Sequence, residues 1–223
     1  MQIISGKFRG RKLALPANAR PTQNRARIAL FNILNSTLKT KASAPLAVTG
    51  QNSKLTVWDA FAGSGAFGIE FLSRNWAEHV IFTDSDAGAI KTINRNLDGF
   101  CPCEFTVRQT DAIAAAAEFA GRADIVFVDP PYAKATGGRP PYDNPDLGEK
   151  FISELATHAK PGTIIVWERE KVTSNQEPVT SNFEIIKDKT YGRARFIIMQ
   201  KKLVPDYWLP ANKVSKNDTA KTL

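Results

Sequence analysis

Four consecutive residues, Asp129-Pro130-Pro131-Tyr132, combine groups that could activate an amine. The Asp129 carboxylate and the Pro130 carbonyl are hydrogen-bond acceptors, and the two prolines stiffen the backbone that carries them. Two acceptors can hold both hydrogens of one planar amino group and make its nitrogen more nucleophilic, while Tyr132 offers a face on which a base can stack. The tetrapeptide predicts a catalytic site for the exocyclic amine of a nucleobase, although in isolation it could form a rigid surface turn.

A glycine-rich loop, running from Asp59 to Gly68, provides the second candidate site. Gly63, Gly65 and Gly68 match the spacing G-x-G-x-x-G, so a nicotinamide dinucleotide is one interpretation. The carboxylate of Asp59 favours another, because it would repel a pyrophosphate and attract the ammonium group of S-adenosylmethionine. The expected cofactor is therefore S-adenosyl-L-methionine, and the loop residues predicted to bind it are Asp59, Phe61, Gly63 and Gly65.

Two more carboxylates follow predicted strands and extend this cofactor site. Asp84 ends the second strand of the main domain and is expected to accept hydrogen bonds from ribose hydroxyls. Asp86 lies close enough to substitute for it, or could cap the following helix. Asp111 suits contact with the adenine amino group, and capping the next helix is an equal alternative.

Short apolar strands alternate with helical patterns from residue 55 onwards. The sequence predicts strands at 55–60, 79–83, 105–108, 124–128 and 162–168, helices at 66–74, 87–97, 113–119 and 147–158, and a final pair of strands at 183–189 and 195–200. This alternation predicts an α/β fold of the class I methyltransferase type, Rossmann-like and doubly wound, with a mostly parallel seven-stranded sheet and a terminal antiparallel hairpin. The glycine-rich loop and the tetrapeptide then lie beyond the carboxyl ends of strands, where open sheets bind ligands.

The N-terminal region differs from the rest of the chain in charge. Residues 1–41 contain nine Lys or Arg and no Asp or Glu, and the whole chain has a net charge of +8. Such an arm suits a polyanion, although it could be only a solvated basic surface. The residues predicted to contact RNA are Lys7, Arg9, Arg11, Lys12, Arg20, Thr22, Arg25 and Arg27.

Apolar residues in this arm predict a β-hairpin, residues 3–15, followed by a helix that Thr22 caps. The apolar stripe of that helix is predicted to comprise Ile28, Phe31, Ile33, Leu34 and Leu38. We expect a hairpin–helix extension over residues 1–40, a linker at 41–54, a methyltransferase domain at 55–202 and a mobile tail at 203–223.

Composition excludes several other classes of protein. No segment reaches about 18 consecutive apolar residues, and the N-terminus lacks the pattern of a secretory signal, so we expect a cytoplasmic protein. Cys101 and Cys103 are the only cysteines. Two cysteines are too few for a tetrahedral zinc site, and at this spacing we expect them to be reduced thiols. We expect no metal.

The motifs resemble those of one known family. The segments from Asp59 to Glu70 and from Asp124 to Tyr132, together with an Arg-Pro-Thr motif at 20–22 and Leu-Phe-Asn at 30–32, are similar to the RsmD family of bacterial 16S rRNA (guanine-N2)-methyltransferases. The resemblance covers roughly residues 2–200. It implies methylation of a guanine N2 amine in 16S rRNA of the small ribosomal subunit.

This sequence departs from the family pattern near two arginines. Asn24 and Ile28 occupy places where the family usually has acids, so the ion pairs expected for Arg25 and Arg27 lose their usual partners. Two alternatives stay open: a DNA adenine-N6 methyltransferase, which usually needs a larger target-recognition region, and a non-catalytic RNA-binding assembly factor. Intact glycines and Asp129 argue against the second.

Overall fold

The computed structural model describes residues 1–17, 24–40, 55–131, 147–170 and 181–202. The helices are α1 Asn24–Thr40, α2 Ala66–Ser73, α3 Ala87–Asn96, α4 Ala112–Phe119 and α5 Leu147–His158, with a short 3₁₀ turn at Pro102–Glu104. The strands are β1 Leu55–Asp59, β2 Ala77–Asp84, β3 Phe105–Gln109, β4 Ile125–Val128, β5 Ile164–Glu170, β6 Phe183–Tyr191 and β7 Ala194–Lys201.

These strands form one seven-stranded sheet in the order β3-β2-β1-β4-β5-β7-β6. β1 to β5 pair in parallel, whereas β7 is antiparallel to both β5 and β6. The predicted fold class is therefore confirmed, including the terminal hairpin. The chain winds outwards from β1 through β2 to β3 and then returns to β4 on the other side of β1. A ligand crevice is expected at that reversal, beyond the carboxyl ends of β1 and β4.

The N-terminal residues share a core with the sheet. Ile3 and Leu13 from the hairpin, and Phe31 from α1, belong to the same buried cluster as Phe67 and Phe71 of α2. The hairpin itself has one antiparallel bridge, Gln2 to Lys12. Because its apolar side chains complete this core, the hairpin is fixed against the body of the protein.

One predicted member of the α1 stripe is misplaced. Ile28 is 43% exposed, whereas Leu30, Phe31, Leu34 and Leu38 are buried. The residue that turns inward at this point is Arg27, because a buried carboxylate lies there to receive it. The prediction for Ile28 is therefore wrong.

The expectation of two reduced thiols is also wrong, since Cys101 and Cys103 form a disulfide. The 3₁₀ turn that begins at Pro102 brings their Cα atoms to 5.3 Å, which is within the usual range for a disulfide. Within the described ranges, no helix is long and apolar enough to cross a membrane. The same part of the chain holds no cluster of three or more metal-ligating side chains.

Candidate functional site

The glycine-rich loop owes its shape to hydrogen bonds from the end of β2. Ala62 N–H donates to the carbonyl of Thr83 at 2.9 Å, and Gly63 N–H donates to the carboxylate of Asp84 at 2.8 Å. The Thr83 hydroxyl donates to the carbonyl of Ala60 at 2.8 Å. The loop is therefore held in place by protein groups before any ligand arrives, which lowers the entropic cost of binding.

Two glycines in the loop have conformational or packing requirements. Gly65 precedes α2 in the left-handed conformation, with φ 73°. A Cβ on Gly68 would lie 2.4 Å from the ring of Phe82, so only glycine lets α2 pack this closely on the sheet. Gly63 differs, because none of the described atoms lies within 4 Å of where its Cβ would be. The backbone at Gly63 is thus open to a ligand.

Asp59 ends β1 and is 1% exposed. Its Oδ2 accepts a hydrogen bond from Gly68 N–H at 3.1 Å. Burial, reinforced by the nearby charges of Asp129 and Asp84, raises the pKa of Asp59 from 3.8 to about 8, although the Gly68 bond and Arg27 act in the opposite direction. The protein thus holds a carboxyl group at an electrostatic cost, which a cationic ligand would relieve.

Asp84 and Asp111 also stand where the sequence places them. Oδ2 of Asp84 accepts from Gly63 N–H and Oδ1 from Asp86 N–H, at 2.8 and 2.9 Å, which leaves lone pairs for a ligand. Burial raises the pKa of Asp84. Asp86 caps α3, so its predicted capping alternative is confirmed. Asp111 caps α4 through Ala114 N–H, which leaves its ligand role a prediction.

Asp129 and Pro130 directly follow β4, next to β1. In the pairing of these strands Asp59, the last residue of β1, lies opposite Phe127. Asp129 therefore lies two residues past the level at which β1 ends. Asp129 and Pro131 are half-buried, Pro130 is buried, and Tyr132 lies outside the described residues. Burial raises the pKa of Asp129 to about 7. The predicted catalytic and cofactor carboxylates are thereby brought to adjacent strand ends.

The predicted Phe61 contact lies between the loop and α5. Its ring is half-buried and packs edge-on against Phe151, with centroids 5.2 Å apart. The ring therefore anchors the glycine-rich loop to α5, and its contact with a cofactor stays a prediction.

Glu70, for which no role is predicted from the sequence, holds the N-terminal hairpin against α2. Its side chain is fully buried. It accepts hydrogen bonds from Ile4 N–H at 2.7 Å, Ser5 N–H at 2.9 Å and Arg74 Nε at 2.7 Å. Arg27 Nη2 lies 3.6 Å from its second oxygen. A glutamate inside the largely apolar helix AFGIEFLS is the sequence signal for this role, because buried charges need partners.

Asn96 is a second residue that no sequence pattern marks, and it links the hairpin to the glycine-rich loop. Its Nδ2 donates to the carbonyls of Ala14 and Ser64, at 3.0 and 2.8 Å, and its Oδ1 accepts from Ala14 N–H at 2.8 Å. Arg27 makes a parallel link, since it donates to the carbonyls of Gln2 at 3.2 Å and Ala66 at 3.3 Å. Two buried side chains thus join the hairpin to the start of α2.

This arrangement corrects the predicted RNA contacts. Arg27 is 5% exposed and paired with Glu70, so it cannot reach a phosphate, and the prediction for it is wrong. Arg11 is half-buried: it donates to the carbonyl of Asp98 and packs against the ring of Phe100. The exposed candidates are Lys7, Arg9, Lys12 and Arg25. Arg20 and Thr22 lie outside the described residues.

The raised pKa of Asp59 predicts a stability change in the Asp59→Asn variant. A folded-state pKa of about 8 against 3.8 means that the stability contributed by the protonated form is complete below pH 3.8 and is lost as the pH rises through 8. An asparagine cannot ionise and keeps an acceptor for Gly68. We expect the ligand-free variant to be more stable than the parent protein by several kcal/mol at pH 9, with a smaller gain at pH 6.

Calorimetric unfolding at the two pH values measures this difference. Asp98→Asn is the control, since Asp98 is exposed. A stability gain that does not grow with pH would contradict a buried Asp59 that ionises only at raised pH.

Comparisons with known proteins identify the family and the fold of this chain. Residues 1–137 match the family model described as "Conserved hypothetical protein 95". Ribosomal RNA small subunit methyltransferase D of Haemophilus influenzae is 30% identical over 212 residues, which are 90% of this chain and 93% of that protein. A solved structure described as "Putative methyltransferase yhhF from Escherichia coli" has a TM-score of 0.69 and 26% identity, with 91% of this chain and 98% of that chain covered.

A more distant structure shares the fold. It is a T. thermophilus 16S rRNA N2 methyltransferase in complex with AdoMet and guanosine, with a TM-score of 0.57 and 18% identity over 83% of this chain and 45% of that one. The family match spans the hairpin, the glycine-rich loop and the tetrapeptide, and the relative aligns along nearly the whole chain. This chain therefore belongs to the RsmD family of methyltransferases.

Proposed function

We propose that this protein transfers a methyl group from S-adenosylmethionine to the N2 amine of a guanine in 16S rRNA, in the cytoplasm and on the small ribosomal subunit. The observation that carries the proposal is the position of Asp129, half-buried directly after β4 and two residues past the level at which the neighbouring strand β1 ends at Asp59. An amine acceptor thus stands beside a site for a cationic ligand. The relatives named for ribosomal RNA support the substrate.

The residues of the crevice fit S-adenosylmethionine. The buried carboxylate of Asp59 suits an ammonium group, Asp84 has acceptor capacity for ribose hydroxyls, and the backbone is open at Gly63. Asp111 stands at the start of α4, where it can accept from an adenine amine. When bound, this cofactor supplies an electrophilic methyl group on a cationic sulfur.

The chain itself supplies alignment. The Asp129 carboxylate and the Pro130 carbonyl accept the two amine hydrogens and direct the nitrogen lone pair towards the methyl carbon, and Tyr132 is proposed to stack on the base. Pro131 fixes the backbone on one side of these acceptors. A guanine inside a duplex cannot enter such a crevice, so the target must be unpaired or flipped out.

Label transfer from radioactive S-adenosylmethionine tests this function. The protein is incubated separately with rRNA, small ribosomal subunits, tRNA, DNA and protein, and labelled nucleosides are identified after digestion. We expect N2-methylguanosine from rRNA or small subunits. Label in DNA adenine would favour the adenine-N6 alternative, and RNA binding without any label would favour an assembly factor. Calorimetry should detect S-adenosylmethionine binding and no appreciable nicotinamide-dinucleotide binding.

The exposed cations of the hairpin are proposed to bind RNA phosphates. Lys7 and Arg9 are exposed on its turn, whereas deletion of the whole hairpin would remove Ile3 and Leu13 from the core. We therefore expect the double variant Lys7→Gln/Arg9→Gln to bind RNA more weakly. The slope of log affinity against log salt concentration should become shallower by about two units, one for each lost phosphate contact.

Filter binding at several salt concentrations measures the slope. The matched control is Lys91→Gln/Arg95→Gln, which removes two exposed cations from α3. S-adenosylmethionine affinity should stay unchanged in both double variants. Equal slopes for the hairpin variant and the parent protein would rule out these two phosphate contacts.

A further inference from the structure

A polar cluster lies beside the catalytic tetrapeptide, where α5 begins and β5 ends. Arg169 Nη2 lies 3.0 Å from Oε1 of Glu149, and the guanidinium stands over the ring of Trp167, 4.4 Å from its centroid. The cluster adjoins the tetrapeptide, because a Cβ on Gly148 would lie 3.1 Å from Trp167 Nε1 and 3.2 Å from Pro130 Cγ. The absence of a side chain at 148 leaves room for this close approach, because a Cβ there would make tight contacts with both neighbours.

Two polar atoms of this cluster have no hydrogen-bond partner among the residues that the structure describes. Within the ranges that the structure describes, the indole N–H of Trp167 and Oε2 of Glu149 are the buried side-chain atoms without a hydrogen bond. Trp167 is 2% exposed. Buried donors and acceptors are nearly always paired, because leaving one unpaired is costly. One unused donor and one unused acceptor beside an amine site indicate a ligand that offers the complementary pair.

The complementary pair distinguishes guanine from the other bases with an exocyclic amine. Next to its N2 amine, guanine carries the N1–H donor, followed by the O6 acceptor. Adenine and cytosine instead carry a ring-nitrogen acceptor beside their amine, and a carboxylate oxygen would repel it. An acceptor plus a donor next to the amine site therefore matches guanine and rejects adenine and cytosine.

We propose that Glu149 and Trp167 read the Watson–Crick edge of the target guanine. Oε2 of Glu149 accepts the N1–H, and the indole N–H of Trp167 donates to O6. Arg169 is a positioning residue, since it holds the other carboxylate oxygen of Glu149 and covers the indole ring. This inference rests on the proposed guanine methylation and adds the residues that select the base.

Nucleoside competition tests the proposal. The assay is label transfer to small ribosomal subunits, and the competitors are guanosine and 2-aminopurine riboside, which keeps the amine but lacks both N1–H and O6. For the parent protein we expect guanosine to inhibit at least tenfold more strongly than 2-aminopurine riboside. The riboside leaves both Glu149 and Trp167 without a hydrogen-bond partner. Glu149→Gln and Trp167→Phe should each reduce that ratio towards one.

Matched controls separate base recognition from general damage. Glu154→Gln alters a half-buried carboxylate on the same helix, which faces His158, and Trp76→Phe alters a half-buried indole distant from the cluster in sequence, so both should keep the parent ratio. S-adenosylmethionine affinity and the unfolding temperature verify that each variant is folded. A parent ratio near one, or an unchanged ratio in Glu149→Gln, would overturn the proposal. Absence of label transfer by the parent protein would instead refute the proposed function.

Discussion

Asp129→Ala is expected to lower kcat by about 10²–10⁴-fold while S-adenosylmethionine affinity stays within a few-fold of the parent value. The reason is geometric. Asp129 follows β4 and is proposed to hold the target amine, whereas the glycine-rich loop is held by other carboxylates. Gly63 N–H donates to Asp84 and Gly68 N–H donates to Asp59, so the substitution leaves the loop intact. Single-turnover label transfer and calorimetry measure the two quantities separately. Near-normal turnover would show that Asp129 is not the amine acceptor.

Asp129→Asn is the informative companion variant, because its side chain keeps a carbonyl acceptor. We expect it to retain more activity than the alanine variant. Burial raises the pKa of Asp129 to about 7, so the accepting carboxylate form increases as the pH rises through 7. In the parent protein kcat/KM should therefore rise across this range, and in Asp129→Asn that step should disappear. A step retained in Asp129→Asn would have to come from another group.

Glu70→Gln is expected to be the most destabilising of the substitutions considered, by about 3–5 kcal/mol. The glutamine would place an NH₂ group among the N–H groups of Ile4 and Ser5 and the guanidinium of Arg74. It would also leave Arg27 buried without its charge partner; burial already lowers the pKa of that guanidinium, and Glu70 opposes the shift. Chemical denaturation followed by circular dichroism measures the loss.

Glu118→Gln is the control for this prediction. Its carboxylate lies 3.9 Å from Arg108, and both side chains are more than half exposed, so its loss should change stability by less than about 1 kcal/mol. Because Glu70 holds the hairpin, RNA affinity should also fall in Glu70→Gln under conditions where the variant is folded. Equal stability losses for the two glutamates would mean that the buried network contributes nothing beyond a surface pair.

Local patterns in the sequence were sufficient to predict the sheet and the positions of the acidic residues in the candidate site. Strand-length apolar runs that alternate with helical runs predict a parallel α/β sheet, and the sheet places Asp59, Asp84 and Asp129 at strand ends. These features depend on residues close together in the chain, so they can be read before any tertiary contact is known. The left-handed Gly65 is of the same kind, because a tight turn before a helix requires glycine.

Only the tertiary structure decided which charged residues turn inward. Arg27 and Ile28 are neighbours on one helix, and the sequence assigned the isoleucine to the core and the arginine to RNA. In the structure the arginine is buried and the isoleucine is exposed, because Glu70 lies in the core where Arg27 can reach it. Likewise, nothing local marks Asn96, whose amide binds the backbone of Ala14 at a separation of 82 residues. Such pairings follow from the docking of distant segments, where the cost of burying a polar group depends on the partner that the fold supplies.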